Sequence, residues 1–227
     1  MEATRPTETV EDYLQLIYTM HREGEEVIAA RLKERKGVSA PTAWATIKRM
    51  ERDGLIVLGQ GHRIDLSPRG LDQAESIIRR HMLAERLLTD ILKLDWADVH
   101  DEAHRIEHAI SPLIERQIRK LLNDPTTCPH GNPIPGMEHQ NPPGVIPLRQ
   151  VKEGQRVLIN NIAEHAEDDA DLMHYLQRSS LVPGTHLFVD EVTLSNATIT
   201  VSLVEDASRK IAVGLPTADL VLVQIES

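Results

Sequence analysis

Apolar residues in the first part of the chain recur at helical spacing and then alternate. In TETVEDYLQLIYTMHREG, Val10, Leu14, Ile17 and Tyr18 fall three or four apart, with Thr7 or Thr9 available as a cap and Gly24 as a stop. The run VIAARLKERKGVSAPTAWATIKRMERDGLIVL predicts a short helix, a turn at Gly37, and a second helix opened by Ser39 with Pro41 in its first turn. LIVLGQGHRIDLS then alternates around Gly59 and Gly61 as a small hairpin. Helix, helix-turn-helix and hairpin in that order predict a winged helix over residues 1–70.

The pattern changes twice more. SPRGLDQAESIIRRHMLAERLLTDILKL predicts a long amphipathic helix with Ile77, Ile78, Leu83, Leu87, Leu88 and Ile91 on its apolar side. DWADVHDEAHRIEHAIS supplies a second helix and PLIERQIRKLL a third, together suggesting a dimerisation unit over 71–140. Residues 123–146 hold six Pro and three Gly and predict an extended linker. From Pro147 onward, VLINNIAE, HLFVDEVTL, ATITVSLV, KIAVGL and LVLVQIE are short Val/Ile-rich runs punctuated by turns. EDDADLMHYLQRSSLVPG between them predicts one helix ending at Pro183-Gly184. Five short strands and a helix over 147–227 fit a small SH3-like barrel. The expected fold class is therefore multi-domain α+β.

Composition narrows the function. The net charge of −10 is unevenly spread: residues 1–70 carry 11 basic against 11 acidic residues, and 71–227 carry 14 against 24. A neutral segment with clustered Lys and Arg can still present a basic face to phosphates. No apolar run approaches the length of a bilayer span and no signal peptide is evident, so no membrane partner is expected. The single cysteine, Cys128, excludes an internal disulfide framework and fits a reducing, cytoplasmic setting.

In a helix-turn-helix the second helix enters the major groove N-terminus first. Here that presents Ser39, Ala40, Pro41, Thr42, Ala43 and Ala45, with Lys48, Arg49 and Arg52 nearer the backbone of double-stranded operator DNA. Short side chains permit close contact with thymine methyls but few bidentate hydrogen bonds, leaving much of the specificity to DNA shape. The hairpin offers His62 and Arg63, and Trp44 is read as a packing residue. A winged helix used for protein contacts is the alternative.

The densest chemistry lies between Arg79 and Ile110. On a helix, His100, His104, Glu107 and His108 fall within roughly a 100° arc, and His81 and Glu85 stack one turn apart on another helix. Imidazoles and carboxylates converging in this way predict divalent-metal binding in a bundle. As core residues, so many polar groups would each need a partner.

The segments MERDGLIVL, RRHMLAERLLTDILKLDWADVHDEAHRIEH and GNPIPG resemble the diphtheria toxin repressor and manganese transport regulator family. The resemblance covers nearly the whole chain. It implies a winged helix, dimerisation helices, a proline-rich linker and an SH3-like, FeoA-like terminal domain, in a homodimeric, metal-activated regulator that mainly represses metal-uptake genes. It places one metal site on Asp12, His104, Glu107 and His108. It places a second on His81, Glu85 and His100, closed by acidic groups of the terminal domain, for which Glu167, Asp168 and Asp171 are candidates. An acidic first helical turn favoured by the helix dipole explains those three equally well. The iron-responsive branch has Met and Cys where this chain has Asp12 and His104, and the manganese branch usually has Glu at the latter. Oxygen and imidazole donors suit Mn2+, with Fe2+ as alternative, while Zn2+ or Cd2+ would bind in vitro. The linker motif CPHG is similar to that of streptococcal-type manganese members and makes Cys128 and His130 further candidates, a solvent-exposed linker pair being the other reading.

The expected mechanism is that metal fixes the spacing of two winged helices to match two half-sites. A di-metal enzyme is the distant competitor. The block offers no Glu-x-x-His pair, no evident nucleophile and no Gly-rich phosphate loop. A metal-independent regulator whose histidines sense pH is another.

Overall fold

The structure is a computed structural model that describes residues 6–137 and 141–226. The expected end of the dimerisation segment, residue 140, lies outside them. The chain forms two compact units: one runs to His81 and includes Glu107–Ala109, and the other takes Met82–Ile106 and the chain from Ile110 onward.

The first unit contains the expected winged helix. Helix α1 (Glu8–Arg22) buries Val10, Tyr13, Leu14, Ile17 and Met20, whereas Tyr18 is only partly covered. Helix α2 (Ala29–Lys36) stops at Gly37, whose left-handed φ of 62° is accessible to glycine at little cost. Helix α3 (Ala40–Arg52) opens with the Ser39 side chain accepting from the Thr42 amide. Its core face is Ala43, Ile47 and Met50. The wing pairs β1 (Ile56–Leu58) with β2 (Ile64–Leu66), Ile56 opposite Leu66. Helix α4 (Pro68–Arg86) begins against the end of α3. The Ser67 amide donates to Leu55 O at 2.9 Å, the Gly70 amide donates to Ser67 Oγ at 3.0 Å, and Gly70 is buried there.

In the second unit α4 passes into a π-type turn, Leu87–Ile91, and Lys93 breaks it at φ 61°. The next helix is shorter than its sequence pattern suggests. A turn closed by Asp98 N to Asp95 O precedes α5 (Val99–Ile106), and a 3-10 turn follows at Glu107–Ala109. Helix α6 (Pro112–Leu121) leaves Leu113, Ile114 and Leu121 exposed, as Ile91 and Leu92 are in the preceding turn.

The Pro/Gly-rich stretch is extended as expected, but it is packed. Arg86 Nε donates to Thr127 O at 2.7 Å, and its Nη2 donates to Thr127 Oγ1 and Cys128 O, both at 3.1 Å. Trp96 Nε1 donates to Pro129 O at 3.0 Å. Gly131, at φ +87°, runs so close to the next domain that an added Cβ would stand 2.3 Å from Asn160 O.

The terminal domain is a six-stranded antiparallel sheet in the order β3-β8-β4-β5-β6-β7. Strands β4 (Arg156–Ile162), β5 (His186–Thr193), β6 (Thr198–Leu203), β7 (Asp206–Gly214) and β8 (Val221–Ile225) match the five expected runs. Alternate residues such as Val157, Ile159, Leu187, Val189, Val201 and Val223 fill its core. A sixth strand, β3 (Val145–Pro147), pairs with β8 at the sheet edge, where a short segment ending in proline is tolerated. Helix α7 (Ala170–Arg178) stops before Pro183: Ser180 is left-handed at φ 58° and the Leu181 amide donates back to Leu176 O. A short α8 (Leu215–Leu220) joins β7 to β8. Among the described residues no helix is long and apolar enough to cross a membrane.

A Cβ added at Gly70 would lie 1.9 Å from Leu55 O, a backbone atom with little freedom to retreat. The substitution Gly70→Ala is expected to destabilise the winged-helix unit by about 3 kcal/mol, read as a lowered melting temperature. An unchanged melt would show that the α3–β1 connection can shift.

Candidate metal centres

The first cluster forms within the winged-helix unit because Glu107–Ala109 packs with it. Asp12 on α1 and Glu107 and His108 on the 3-10 turn offer ligand atoms that all lie within 4.8 Å of one another. His108 Nε2 stands 3.2 Å from Asp12 Oδ1 and 3.4 Å from Glu107 Oε1. The other atoms of these groups are held from behind. His108 Nδ1 lies 2.7 Å from Glu11 Oε2, and Glu11 Oε1 accepts from Arg80 Nη2 at 2.9 Å. Glu107 Oε2 lies 2.5 Å from His81 Nδ1. Asp12 Oδ2 accepts from Lys36 Nζ at 3.1 Å.

A carboxylate can only accept, so Nδ1 of His108 donates to Glu11. Nε2 then faces one oxygen of Asp12 and one of Glu107, a place that favours a cation. Two oxygens and one imidazole nitrogen, oriented by a second carboxylate, fit a divalent ion. Glu11, absent from the sequence expectations, is thus part of the site. Its signal was its phase on α1, one turn before the buried Leu14, where a carboxylate needs a partner.

The second cluster lies in the other unit and joins α4, α5, the packed linker and the terminal domain. Glu85, Cys128 and His130 offer mutually close ligand atoms, as do Glu85, His100 and Glu167. His100 Nδ1 is 3.1 Å from both Glu85 Oε1 and Glu167 Oε2, and its Nε2 is 3.4 Å from Asp168 Oδ1. His130 Nε2 donates to Trp96 O at 3.2 Å. Its Nδ1 faces Glu167 Oε2 at 3.1 Å and Glu85 Oε1 at 3.5 Å, fully buried and without an aligned hydrogen bond. Asn132 Nδ2 holds Glu167 Oε1 at 2.8 Å, leaving Oε2 for the cluster. A buried imidazole nitrogen facing two carboxylates again fits a divalent cation.

Protons compete for the same place. Burial alone would lower the His100 imidazole, but its hydrogen bonds to Asp168, Glu167 and Glu85 outweigh this and hold it well above the usual range. Burial likewise opposes protonation of His130, yet the charges of Glu167 and Glu85 raise it well above the ordinary value. Burial first, then the charges of Glu85 and Glu167, push the Cys128 thiol up to about 12.

The other expected ligands are divided between the two units. Cys128 and His130 are buried, which removes the reading of an exposed linker pair. His81 belongs to the winged-helix unit, with Nδ1 on Glu107. His104 belongs to the other unit, its ring edge-on to His100 with centroids 4.8 Å apart, and it offers a ligand atom near those of His100 and Asp168. Asp171 is a correction. Asp169 caps α7 by accepting from the Leu172 amide, and this phase leaves Asp171 exposed and outside every cluster of ligand atoms among the described residues.

On the DNA-reading helix, Ser39, Ala40, Pro41, Thr42, Ala45, Lys48, Arg49 and Arg52 are exposed, as are His62 and Arg63 of the wing. Ala43 is the correction here: four residues before Ile47, it faces the core at 1% exposure and cannot reach a base. Trp44, expected to pack inside, is 39% exposed. Lys48 pairs with Glu51, Arg49 and Arg52 with Asp53, and Arg63 with Asp65, all in exposed positions where ion pairs are weak and phosphates can displace them.

A winged helix in one chain with two carboxylate–imidazole clusters defines a metal-responsive DNA-binding regulator. Residues 6–60 match the family described as iron dependent repressor, N-terminal DNA binding domain, residues 67–136 its metal binding and dimerisation domain, and residues 146–225 the FeoA domain. The chain is 38% identical over 202 residues to the iron-dependent repressor IdeR of Mycobacterium leprae, covering 85% of this chain and 88% of that one. It is 37% identical over 218 residues to the diphtheria toxin repressor of Corynebacterium diphtheriae, covering 91% and 96%. A solved manganese-dependent transcriptional repressor in complex with manganese superposes with a TM-score of 0.86 at 29% identity, covering 96% of this chain and all of that one. The chain belongs to the diphtheria toxin repressor family and is a metal-dependent transcriptional repressor; its relatives are regulators, not enzymes.

Two expectations follow. A metal held by His100, His130 and the Cys128 thiol would have to displace their protons, so binding is expected to weaken as pH falls. Calorimetric titration with Mn2+ in buffers of different ionisation enthalpy should register net proton release at neutral pH; none would contradict the assignment. Glu11→Gln removes the charge behind His108 and should weaken Mn2+ binding by about 10-fold, measured by the same titration. An unchanged affinity would make Glu11 structural only.

Proposed function

We propose that this chain is a manganese-dependent repressor of metal-uptake and metal-homeostasis genes, acting as a homodimer on double-stranded operator DNA. The observation that carries the choice of metal is the donor set of the first cluster, Asp12, Glu107 and His108. It contains neither thiolate nor thioether, and hard oxygen donors with one imidazole suit Mn2+. The likeness to a manganese-dependent repressor supports the same reading.

In this proposal Asp12 and Glu107 supply charge, His108 supplies a neutral nitrogen, and Glu11 and His81 fix the orientation of the last two. The bound cation offsets the charge of the two carboxylates and so favours one position of α1 relative to the 3-10 turn. Glu85, His100, Cys128, His130 and Glu167 form the second site, with Asp168 and His104 beside it. The exposed Ile91, Leu92, Leu113, Ile114 and Leu121 supply the apolar surface for a second copy of the chain. In the dimer, metal favours one spacing of the two DNA-reading helices, matching half-sites about one helical turn apart. By linkage, DNA tightens metal binding by the factor with which metal tightens DNA binding.

A second reading keeps everything but the ion. Curated relatives at 37–38% identity are iron-dependent repressors, and Fe2+ accepts the same donors. Zn2+ or Cd2+ would also bind in vitro on the usual affinity order.

The deciding experiment is a DNA-binding titration against Mn2+ and, anaerobically, Fe2+ at matched free-metal concentrations. Mn2+ is expected to activate at concentrations where Fe2+ does not, and the reverse order would assign the chain to iron. Asp12→Ala should abolish the metal dependence. Equal DNA affinity with and without either metal would overturn the regulatory reading itself.

A further inference from the structure

Trp44 is the largest side chain on a face otherwise made of short ones. On α3 the core positions are Ala43, Ile47 and Met50, so Trp44 begins a second stripe, one turn after Ala40 and one before Lys48. Ala40, Pro41, Thr42 and Ala45 around it are exposed and too small to cover an indole. The ring is nevertheless held in place. Lys48 Nζ lies 5.0 Å from its centroid, over the face, and the His62 ring meets it edge-on at 6.4 Å with the planes at 80°. His62 is fixed in turn by the wing tip, where Gly61 and His62 both adopt left-handed backbone, at φ 69° and 62°. Histidine there is strained, and the strain places its ring against the indole.

An aromatic side chain left 39% exposed and held between Lys48 and His62, on a helix that also exposes Arg49 and Arg52, is suited to a nucleic-acid contact. Its position on α3 puts it opposite base edges in a major groove, where the thymine C5-methyl is the one apolar feature. The edge of an indole can bury such a methyl, while Lys48, already over its face, reaches a phosphate.

We propose that Trp44 is a specificity-determining residue that reads thymine methyl groups in the major groove, with His62 and Lys48 acting as positioning residues. The wing and the DNA-reading helix thereby act as one reading surface. The inference rests on the DNA-binding reading above and is independent of which metal activates it.

The test uses the full-length protein loaded with Mn2+ and duplexes selected from a random-sequence pool. For the tightest duplex, the dissociation constant is compared with that of the same duplex carrying uracil in place of thymine, which deletes only the methyls. The wild type is expected to lose about 4-fold per methyl contacted. Trp44→Ala should bind more weakly and lose less than the wild type on replacing thymine by uracil, with Trp44→Phe in between. Mn2+ affinity in the absence of DNA should be unchanged in both variants, which also establishes that they fold. A thymine preference undiminished in Trp44→Ala, or a wild type indifferent to uracil, would overturn the proposal while leaving the regulator intact. Failure of the wild type to select any duplex with metal would overturn both.

Discussion

Among the described residues four glutamates are almost fully removed from water, and their charge governs how each cluster is built. Glu11, Glu85, Glu107 and Glu167 are all between 0 and 4% exposed. A buried carboxylate without a counter-charge is expensive enough to unfold a domain or to change its own protonation. The winged-helix unit meets part of this demand with a permanent cation: Arg80 neutralises Glu11. Glu107 and the half-buried Asp12 are met by His81 and Lys36 from behind and by the His108 ring in front. The second unit brings imidazoles and an amide to Glu85 and Glu167, and imidazoles carry charge only by holding protons. Its charge balance is therefore settled by protons or by metal.

That difference separates the chemistry of the two clusters. The donors of the first are two carboxylates and one imidazole, all of them hard or borderline. The second includes the Cys128 thiol, which burial and neighbouring carboxylates keep protonated, together with two imidazoles held above their usual range. A cation entering it would compete with the protons held there. Softer ions gain more in the second cluster than in the first, because only there is a sulfur donor at hand.

Much of this was legible in the chain, and the division between legible and hidden follows the range of the interaction. Helices, cap residues and barrel strands depend on neighbours a few positions away, so Ser39, Gly37 and the alternating Val and Ile runs announced them. The His and Glu of α5 and the turn after it could be grouped because one helical turn relates them. Nothing local relates Asn132 to Glu167 or Arg80 to Glu11, and these contacts emerge only when the chain is folded. Burial was equally hidden for Cys128 and His130, whose Pro-rich context suggests solvent; Gly131 is what lets that strand lie against β4. Ala43 is a different case. Its spacing of four from Ile47 places it on the core face, so helical phase alone separates it from Ala45.

Asp12 is where the metal chemistry and the DNA-reading apparatus meet. Its Oδ1 faces His108 while its Oδ2 accepts from Lys36 in the last turn of α2, immediately before the Gly37 turn that leads to Ser39 and α3. One carboxylate is thus shared between a cation site and the hinge of the helix-turn-helix. Both partners of the Asp12–Lys36 pair are 30% exposed, so its contribution is of the order of 1 kcal/mol or less. A divalent ion held by Asp12 would draw charge from the carboxylate and would loosen its hold on Lys36. A link this weak cannot move a rigid domain. Its reach is local: the end of α2 and the Gly37 to Ser39 turn that leads into α3.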